Sequence, residues 1–309
     1  MKITDGILFD ENIKTAVTIG KFDSVHIGHQ KLLKETYSFK EKSLVPVALT
    51  FDINFEYILD KSDSRNMFEK MGIEILVEYP FDDKTKNMKP EEFFEYIIVG
   101  KLHAGAVVVG NDFRFGHNRS GDIDTLKKLG EKYGVVIDIV EKEKLDGEVV
   151  SSTRIRNELS NGNIQLVNRL LGREYSVTGE VIYGNQLGRT LNMPTINLGF
   201  DCKRIVPPRG VYASLVNYDG KIYGGVTNVG FKPTAPGISN LGVETFIFDF
   251  DKMIYGETVT VKLLDYQRKE RKFESLDELK EQMVIDVHKA KETVKKYEQN
   301  ILQSEVFRL

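Results

Sequence analysis

From Thr15 to Val150 the chain alternates short, β-rich apolar runs with longer stretches whose apolar positions recur at helical spacing. Thr15 to Ile19, Leu44 to Thr50, Ile73 to Glu78, Ala106 to Val109 and Val135 to Val140 read as strands. The helices between them carry their own punctuation: Pro90 opens one over Glu91 to Leu102, and Gly134 closes one over Ile123 to Tyr133. Strand and helix in alternation imply a parallel sheet flanked by helices. Around Ser151 to Gly172 the alternation ends in two short helices broken at Asn161-Gly162. That sets a domain boundary near Gly172, with domains over 1–172 and 173–309.

Beyond the boundary the texture changes. Val177 to Tyr183, Val211 to Asn217, Lys221 to Val226, Val243 to Phe248 and Thr258 to Leu264 are short strand-like runs with Gly-rich connections. Tyr218-Asp219-Gly220-Lys221 predicts a hairpin turn. A last helix begins at Ser275, where Ser275 and Glu278 have capping-box spacing, and Leu276, Leu279, Met283, Val287, Ala290 and Val294 form one apolar stripe. The second half reads as a small β-barrel plus a helix.

Length and composition fit this division. At 309 residues the chain exceeds one ordinary core, and 41% apolar with 29% charged residues is a soluble globular balance. Forty-three basic against 46 acidic residues leave a net charge of −3, so no global field draws the protein to nucleic acid or to an anionic membrane. Cys202 is the only cysteine, which excludes an intrachain disulfide and a thiolate metal cluster and fits the cytoplasm. Met1 to Glu11 lacks a signal pattern and no run reaches membrane-spanning length, so the protein is expected neither to span a membrane nor to be exported. The lysine-rich stretches Lys31 to Lys42 and Lys289 to Lys296 read as solvated helix faces. Oligomeric state is left open.

The candidate chemistry begins just after the first strand, with Gly20, Asp23, His26, Gly28 and His29 leading into a helix near His29. Free N–H groups at a helix start favour an anion, and Gly28 removes a side chain that would block close approach. Either histidine alone would read as a cap or a core hydrogen-bonding group; clustered with Gly20, Asp23 and Gly28 they point to phosphate. These residues resemble the HxGH motif of α/β nucleotidyltransferases. The longer string Gly20-Lys21-Phe22-Asp23-Ser24-Val25-His26-Ile27-Gly28-His29 resembles the N-terminal domain of bacterial FAD synthetases, where GxFDGxHxGH is typical. Ser151-Ser152-Thr153-Arg154-Ile155-Arg156 resembles that family's second nucleotide motif, SSTxxR, and Gly110-Asn111-Asp112-Phe113-Arg114-Phe115-Gly116 its GxDFRFG segment.

The resemblance implies an ATP site made by Gly20, Phe22, Asp23, Gly28, Asp112, Ser152, Thr153 and Arg156, and a flavin pocket with Asn111, Phe113 and Arg114. A phosphomonoester attacking the α-phosphorus of ATP is already anionic and needs no base. His26, His29, Arg156 and Mg²⁺ are expected instead to align phosphates and stabilise charge on the departing pyrophosphate.

In the β-rich half, Gly184, Gly188 and Arg189 precede Met193-Pro194-Thr195-Ile196-Asn197. If this stretch is extended, Thr195 and Asn197 point the same way and offer oxygen ligands for Mg²⁺, although from spacing alone a Pro-Thr turn is the better reading. Gly184 to Asn197 resembles the riboflavin kinase segment ending in PTAN. It is followed in order by Pro207 to Tyr212, Gly225 to Gly230 and Val243-Glu244-Thr245, the last matching the family's VET.

The resemblance makes Glu244 the general base for a ribityl hydroxyl, which must lose its proton as it attacks the γ-phosphorus. It also makes Gly184, Gly188, Thr195 and Asn197 nucleotide-binding, Thr195 and Asn197 ligands of Mg²⁺, and Arg268 part of the flavin pocket. Residues 13 to 292 therefore resemble a bifunctional riboflavin kinase/FMN adenylyltransferase acting on riboflavin, FMN and ATP to give FAD, with no nucleic-acid or membrane partner. The pattern departs at Ser24 and Leu187, at Asn192-Met193, at Ile196, and at Ile53-Asn54-Phe55.

Overall fold

The computed structural model describes the chain except for residues 6–11, 53–55, 185–187, 189–190, 192, 201–202, 232–240 and 307–309. The expectations for Leu187, Arg189, Asn192, Cys202 and Ile53-Asn54-Phe55 lie outside the described residues. Two compact units emerge, Met1–Ser152 and Thr153–Leu309.

The first unit holds a parallel sheet of β1 (Lys2–Thr4), β2 (Thr15–Ile19), β3 (Val45–Asp52), β4 (Ile75–Pro80), β5 (Ala104–Gly110) and β6 (Val136–Val140), in the order β1-β4-β3-β2-β5-β6. Its central strand β2 is buried along its whole length, which is why TAVTI reads as an unbroken run rather than an alternation. Val17 and Ile19 enter one core with Val47, Leu49 and Val107, while Ala16 enters a second with Ala106 and Val108 on the other face.

Helices α1 (Ile27–Ser38) and α2 (Lys61–Lys70) follow β2 and β3. Short helices α3 (Asp83–Lys86) and α4 (Pro90–Glu92) precede β5, and α5 (Ile123–Tyr133) leads to β6. Gly134 ends α5 in the left-handed region at φ +70°, as its placement predicts.

Two features differ from the sequence reading. Strand β1 is not predicted by the sequence pattern; it has three residues and pairs in parallel with β4, Lys2 with Ile75 and Thr4 with Val77. Pro90 does open a helix, but from Phe93 to Lys101 it is a π-helix. The N–H of Leu102 reaches back to Ile97 O at 2.9 Å, and the wider turn lays Phe93, Phe94, Ile97, Ile98 and Leu102 against the core.

A small hairpin, β7 (Lys144–Leu145) with β8 (Glu148–Val149), precedes α6 (Ser152–Ser160) and α7 (Ile164–Leu171). These helices, which the sequence assigns to the first domain, fall almost entirely within the second compact unit. Asn168 stitches α7 to the sheet there: its amide donates to Leu263 O at 2.8 Å and its carbonyl accepts from Tyr175 N–H at 2.7 Å. The chain's helical pattern is the same whichever core the helix joins.

The second unit is an antiparallel sheet of β9 (Tyr175–Glu180), β10 (Thr195–Gly199), β11 (Gly210–Tyr218), β12 (Lys221–Phe231), β13 (Leu241–Ile247) and β14 (Thr258–Lys269), ordered β10-β13-β12-β11-β14-β9. A bridge from Ile182, just beyond β9, to Asn197 on β10 brings the two edges together, so the sheet curls into a half-barrel. Asp219 and Gly220 have φ +49° and +71°, the pair of positive values that a two-residue hairpin turn requires.

Helix α8 (Leu276–Val306) packs Ala290 and Val294 onto Ala213, Leu215, Phe248 and Leu264. The Ser275 hydroxyl accepts from Glu278 N–H at 3.1 Å, while Glu278 reaches one residue further back than a capping box demands, to Glu274 N–H. Leu276 alone leaves the expected apolar stripe and lies 54% exposed.

Candidate active sites

Strands β2 and β5 are neighbours, yet the chain leaves β2 toward β3 and β5 toward β6, on opposite sides. Such a switch point opens a crevice beyond the carboxyl ends of the two strands. The loop after β2 carries Gly20 to His26, and the loop after β5 carries Asn111 to Gly116.

The β2 loop is wound tightly. Phe22 and Val25 have φ of +46° and +42°, values that a bulky or β-branched residue rarely adopts. Val25 N–H donates to Phe22 O at 3.3 Å, and Asp23 Oδ1 accepts from Ile58 N–H at 3.1 Å. The Phe22 ring is buried, edge-on to Phe68 and His29. A Cβ at Gly20 would stand 3.2 Å from that ring, so the glycine makes room for the turn. Phe22 and Asp23 thus shape the loop from beneath.

His26 is the N-cap of α1: its Nδ1 accepts from His29 N–H at 3.1 Å. An accepting Nδ1 carries no proton, so neutral His26 presents Nε2–H as a donor. The His26 and His29 rings stack at 3.6 Å with 14° between planes, and a Cβ at Gly28 would press to 3.2 Å from His26 Cε1. Ser24, fully buried, lies with Oγ 3.2 Å from Ser152 Oγ, which joins the loop to the start of the second motif. Thr153 and Arg156, exposed and half-buried on α6, belong to the second compact unit.

After β5, Asn111 donates to the Glu141 carboxylate and Asp112 pairs with Lys142 at 2.8 Å. Phe113 and Phe115 stack at 5.6 Å, with Phe115 buried and bonded in both directions to Gly121. Arg114 pairs with Asp122 at 3.5 Å. Asp122 caps α5, and the hydrogen bonds from the Thr125 N–H and hydroxyl, with Arg114 adding, hold its carboxyl below the usual range.

In the second unit, register assembles what sequence spacing could not. Directly opposed residues of paired strands point to one face. Asn197 opposes Glu244, Glu244 opposes Asn228, Asn228 opposes Val211, and Val211 opposes Arg268, so one transverse row crosses β10, β13, β12, β11 and β14. Two residues along β10, Thr195 is on the same face, and its hydroxyl donates to Glu244 Oε1 at 2.6 Å. The Pro-Thr turn gives way to a strand beginning at Thr195, with Asn197 buried. A Cβ at Gly184 would run into the Asn197 amide.

Above this row lies a cavity of about 280 Å³, lined by Gly188, Thr195, Asn228, Glu244, Arg268 and Asp286 among others. Arg268 is gripped by Asp286 of α8 through Nε (2.9 Å) and Nη2 (2.6 Å), and Gln282 donates to the same carboxylate at 2.8 Å. A second cavity of about 170 Å³, walled by Val181, Pro194, Phe250 and Tyr255, shares Thr195 with the first. The sequence places Asn228 only within the matched run Gly225 to Gly230, with no role of its own, and does not single out Asp286. Asp286 had a signal: it interrupts the apolar side of α8 between Met283 and Val287, where a carboxylate needs a buried partner.

A family model described as FAD synthetase matches residues 9–154, and one described as riboflavin kinase matches residues 171–294. The bifunctional riboflavin kinase/FMN adenylyltransferase of Haemophilus influenzae is 36% identical over 89% of this chain and 93% of that protein. The chain belongs to this family. Its Bacillus subtilis member is 33% identical, over 92% of this chain and 94% of that one. A solved structure described as a macrolide-efflux protein from Streptococcus pneumoniae superposes with a TM-score of 0.83 at 30% identity, covering 92% of this chain and 95% of that one. Among the described residues of this chain no helix is long and apolar enough to cross a membrane.

One departure from the family pattern is now placed. Ile196 opposes Thr245, on the face away from Thr195, Asn197 and Glu244, and lines the smaller cavity. The larger cavity is untouched by it.

Proposed function

We propose that the Glu244 row transfers the γ-phosphoryl group of ATP to riboflavin, and that the His26/His29 loop transfers the adenylyl group of a second ATP to the resulting FMN. One observation carries the kinase reading: Thr195 borders both of the cavities described above and donates to Glu244. The larger cavity takes the flavin and the smaller the nucleotide, so their phosphate and hydroxyl ends meet at Thr195. The riboflavin 5′-oxygen bonds to the γ-phosphorus, ADP leaves, and the hydroxyl proton passes to the Glu244 carboxylate. In the other unit an FMN phosphate oxygen bonds to the α-phosphorus, pyrophosphate leaves, and no proton need move. His26 Nε2–H and His29 stabilise the charge on the leaving group there.

Mg²⁺ fits the kinase site. A Thr195 hydroxyl that donates to Glu244 keeps its oxygen lone pairs, and Asn197 adds an amide oxygen: hard, neutral ligands that leave room for phosphate oxygens and water. The described residues contain no group of three or more His, Cys, Asp or Glu suited to a metal. When bound, the ion would neutralise phosphate charge. Net charge of −3 and a single cysteine support a cytoplasmic enzyme that does not use nucleic acid.

Incubation with riboflavin, ATP and Mg²⁺, resolved by chromatography, tests the assignment. His29→Ala is expected to abolish FAD while FMN accumulates, and Glu244→Ala to abolish FMN while supplied FMN is still converted to FAD. Equal loss of both activities in either folded variant refutes two separate sites.

A further inference from the structure

We propose that Gln30 is a positioning residue for adenylyl transfer, acting through the left-handed turn at Val25; this rests on assigning that step to the His26/His29 loop. Val25 is fully buried at φ +42°, a conformation that costs a β-branched residue free energy and persists only where the surroundings impose it. Val25 immediately precedes His26, so its dihedrals set the direction in which the imidazole leaves the chain.

Gln30 holds the chain on both sides of that imidazole. Its side-chain Nε2 donates to Val25 O at 2.9 Å, and its backbone N–H donates to His26 O at 2.9 Å. Between these two anchors the His26 ring is turned so that Nδ1 receives His29 N–H and the ring faces stack. The grip needs a donor of that reach. Glutamate at 30 would set an anionic acceptor against a carbonyl oxygen, and alanine would offer nothing. Gln30 itself need touch no substrate, and its effect belongs in kcat, because a misdirected imidazole fails where charge develops, in the transition state.

The test compares FMN adenylylation and riboflavin phosphorylation in the full-length enzyme carrying Gln30→Ala or Gln30→Glu, alone and with Val25→Gly. Loss of one hydrogen bond is expected to lower kcat for FAD formation by about three- to tenfold, with KM for ATP and the kinase rate unchanged. In the Val25→Gly background, Gln30→Ala is expected to have little further effect, because glycine adopts positive φ without restraint. Equal fold-losses in both backgrounds, or a fall in kinase rate to match, overturn the inference. Wild-type kcat in Gln30→Ala beside an inactive His29→Ala overturns the clamp and leaves the site standing. FAD formation by His29→Ala overturns the site assignment beneath it.

Discussion

Replacing Asp286 by alanine would strand a cation that the fold has nearly sealed. Arg268 retains 22% of its side-chain exposure and Asp286 only 4%. Two short charge-assisted bonds join them, and Gln282 uses the same carboxylate as its acceptor. Removing one member of a buried pair costs about 3–5 kcal/mol, and the residual exposure of Arg268 places this case near 3 kcal/mol. The acceptor lost to Gln282 adds about 1 kcal/mol. With a urea slope of about 2 kcal/mol per molar, the unfolding midpoint of the second unit should fall by roughly 1.5–2 M.

The assay is urea denaturation followed by circular dichroism, with riboflavin phosphorylation measured on the same samples. A paired replacement, Arg268→Met with Asp286→Leu, removes both charges and should return stability to within about 1 kcal/mol of the parent. Phosphorylation should nevertheless stay low in the paired variant, because the cavity has lost its guanidinium. A midpoint shift below about 0.5 M in Asp286→Ala, or a paired variant as unstable as the single one, would refute the buried-pair account.

Two other outcomes follow from the same half of the chain. Burial raises the Tyr212 phenol well above its usual range, so the unfolded chain gives up that proton first; the stability this confers is present below about pH 10 and declines above it by up to about 1.4 kcal/mol per pH unit. Tyr212→Phe should flatten the decline between about pH 10 and 11.5 while costing about 1 kcal/mol at neutral pH through the lost bond to Pro208 O; an unchanged slope in a pH series of denaturation curves counts against it. Gly184→Ala should displace Asn197 and lower kcat/KM for riboflavin phosphorylation about ten- to a hundredfold, leaving FAD formation from supplied FMN intact, and steady-state rates for both reactions decide it.

The sequence by itself determined the architecture of the chain and the identity of most candidate groups. Apolar spacing has a period, and strand and helix periods differ, so β2, β5, α5, the two helices after Val150 and the Asp219-Gly220 hairpin could all be read locally. Glycine and histidine in the β2 loop are residue types that phosphate chemistry uses, whereas Thr195, Asn197 and Glu244 in the barrel stand out in the sequence only through the resemblance to riboflavin kinases.

Only the tertiary structure decided which residues share a face. The row from Asn197 to Arg268 spans five strands whose register no local pattern encodes, because a shift of one residue would reverse every side chain. Strand β1 is defined by its pairing with β4, and the ownership of α7 depends on which sheet buries its apolar side. The left-handed turns at Phe22 and Val25 run against local preference altogether. The bond from Ile58 N–H to Asp23, the bond from Gln30 to Val25 O and the packing of Phe68 on Phe22 impose them, and these contacts form only when the chain has folded.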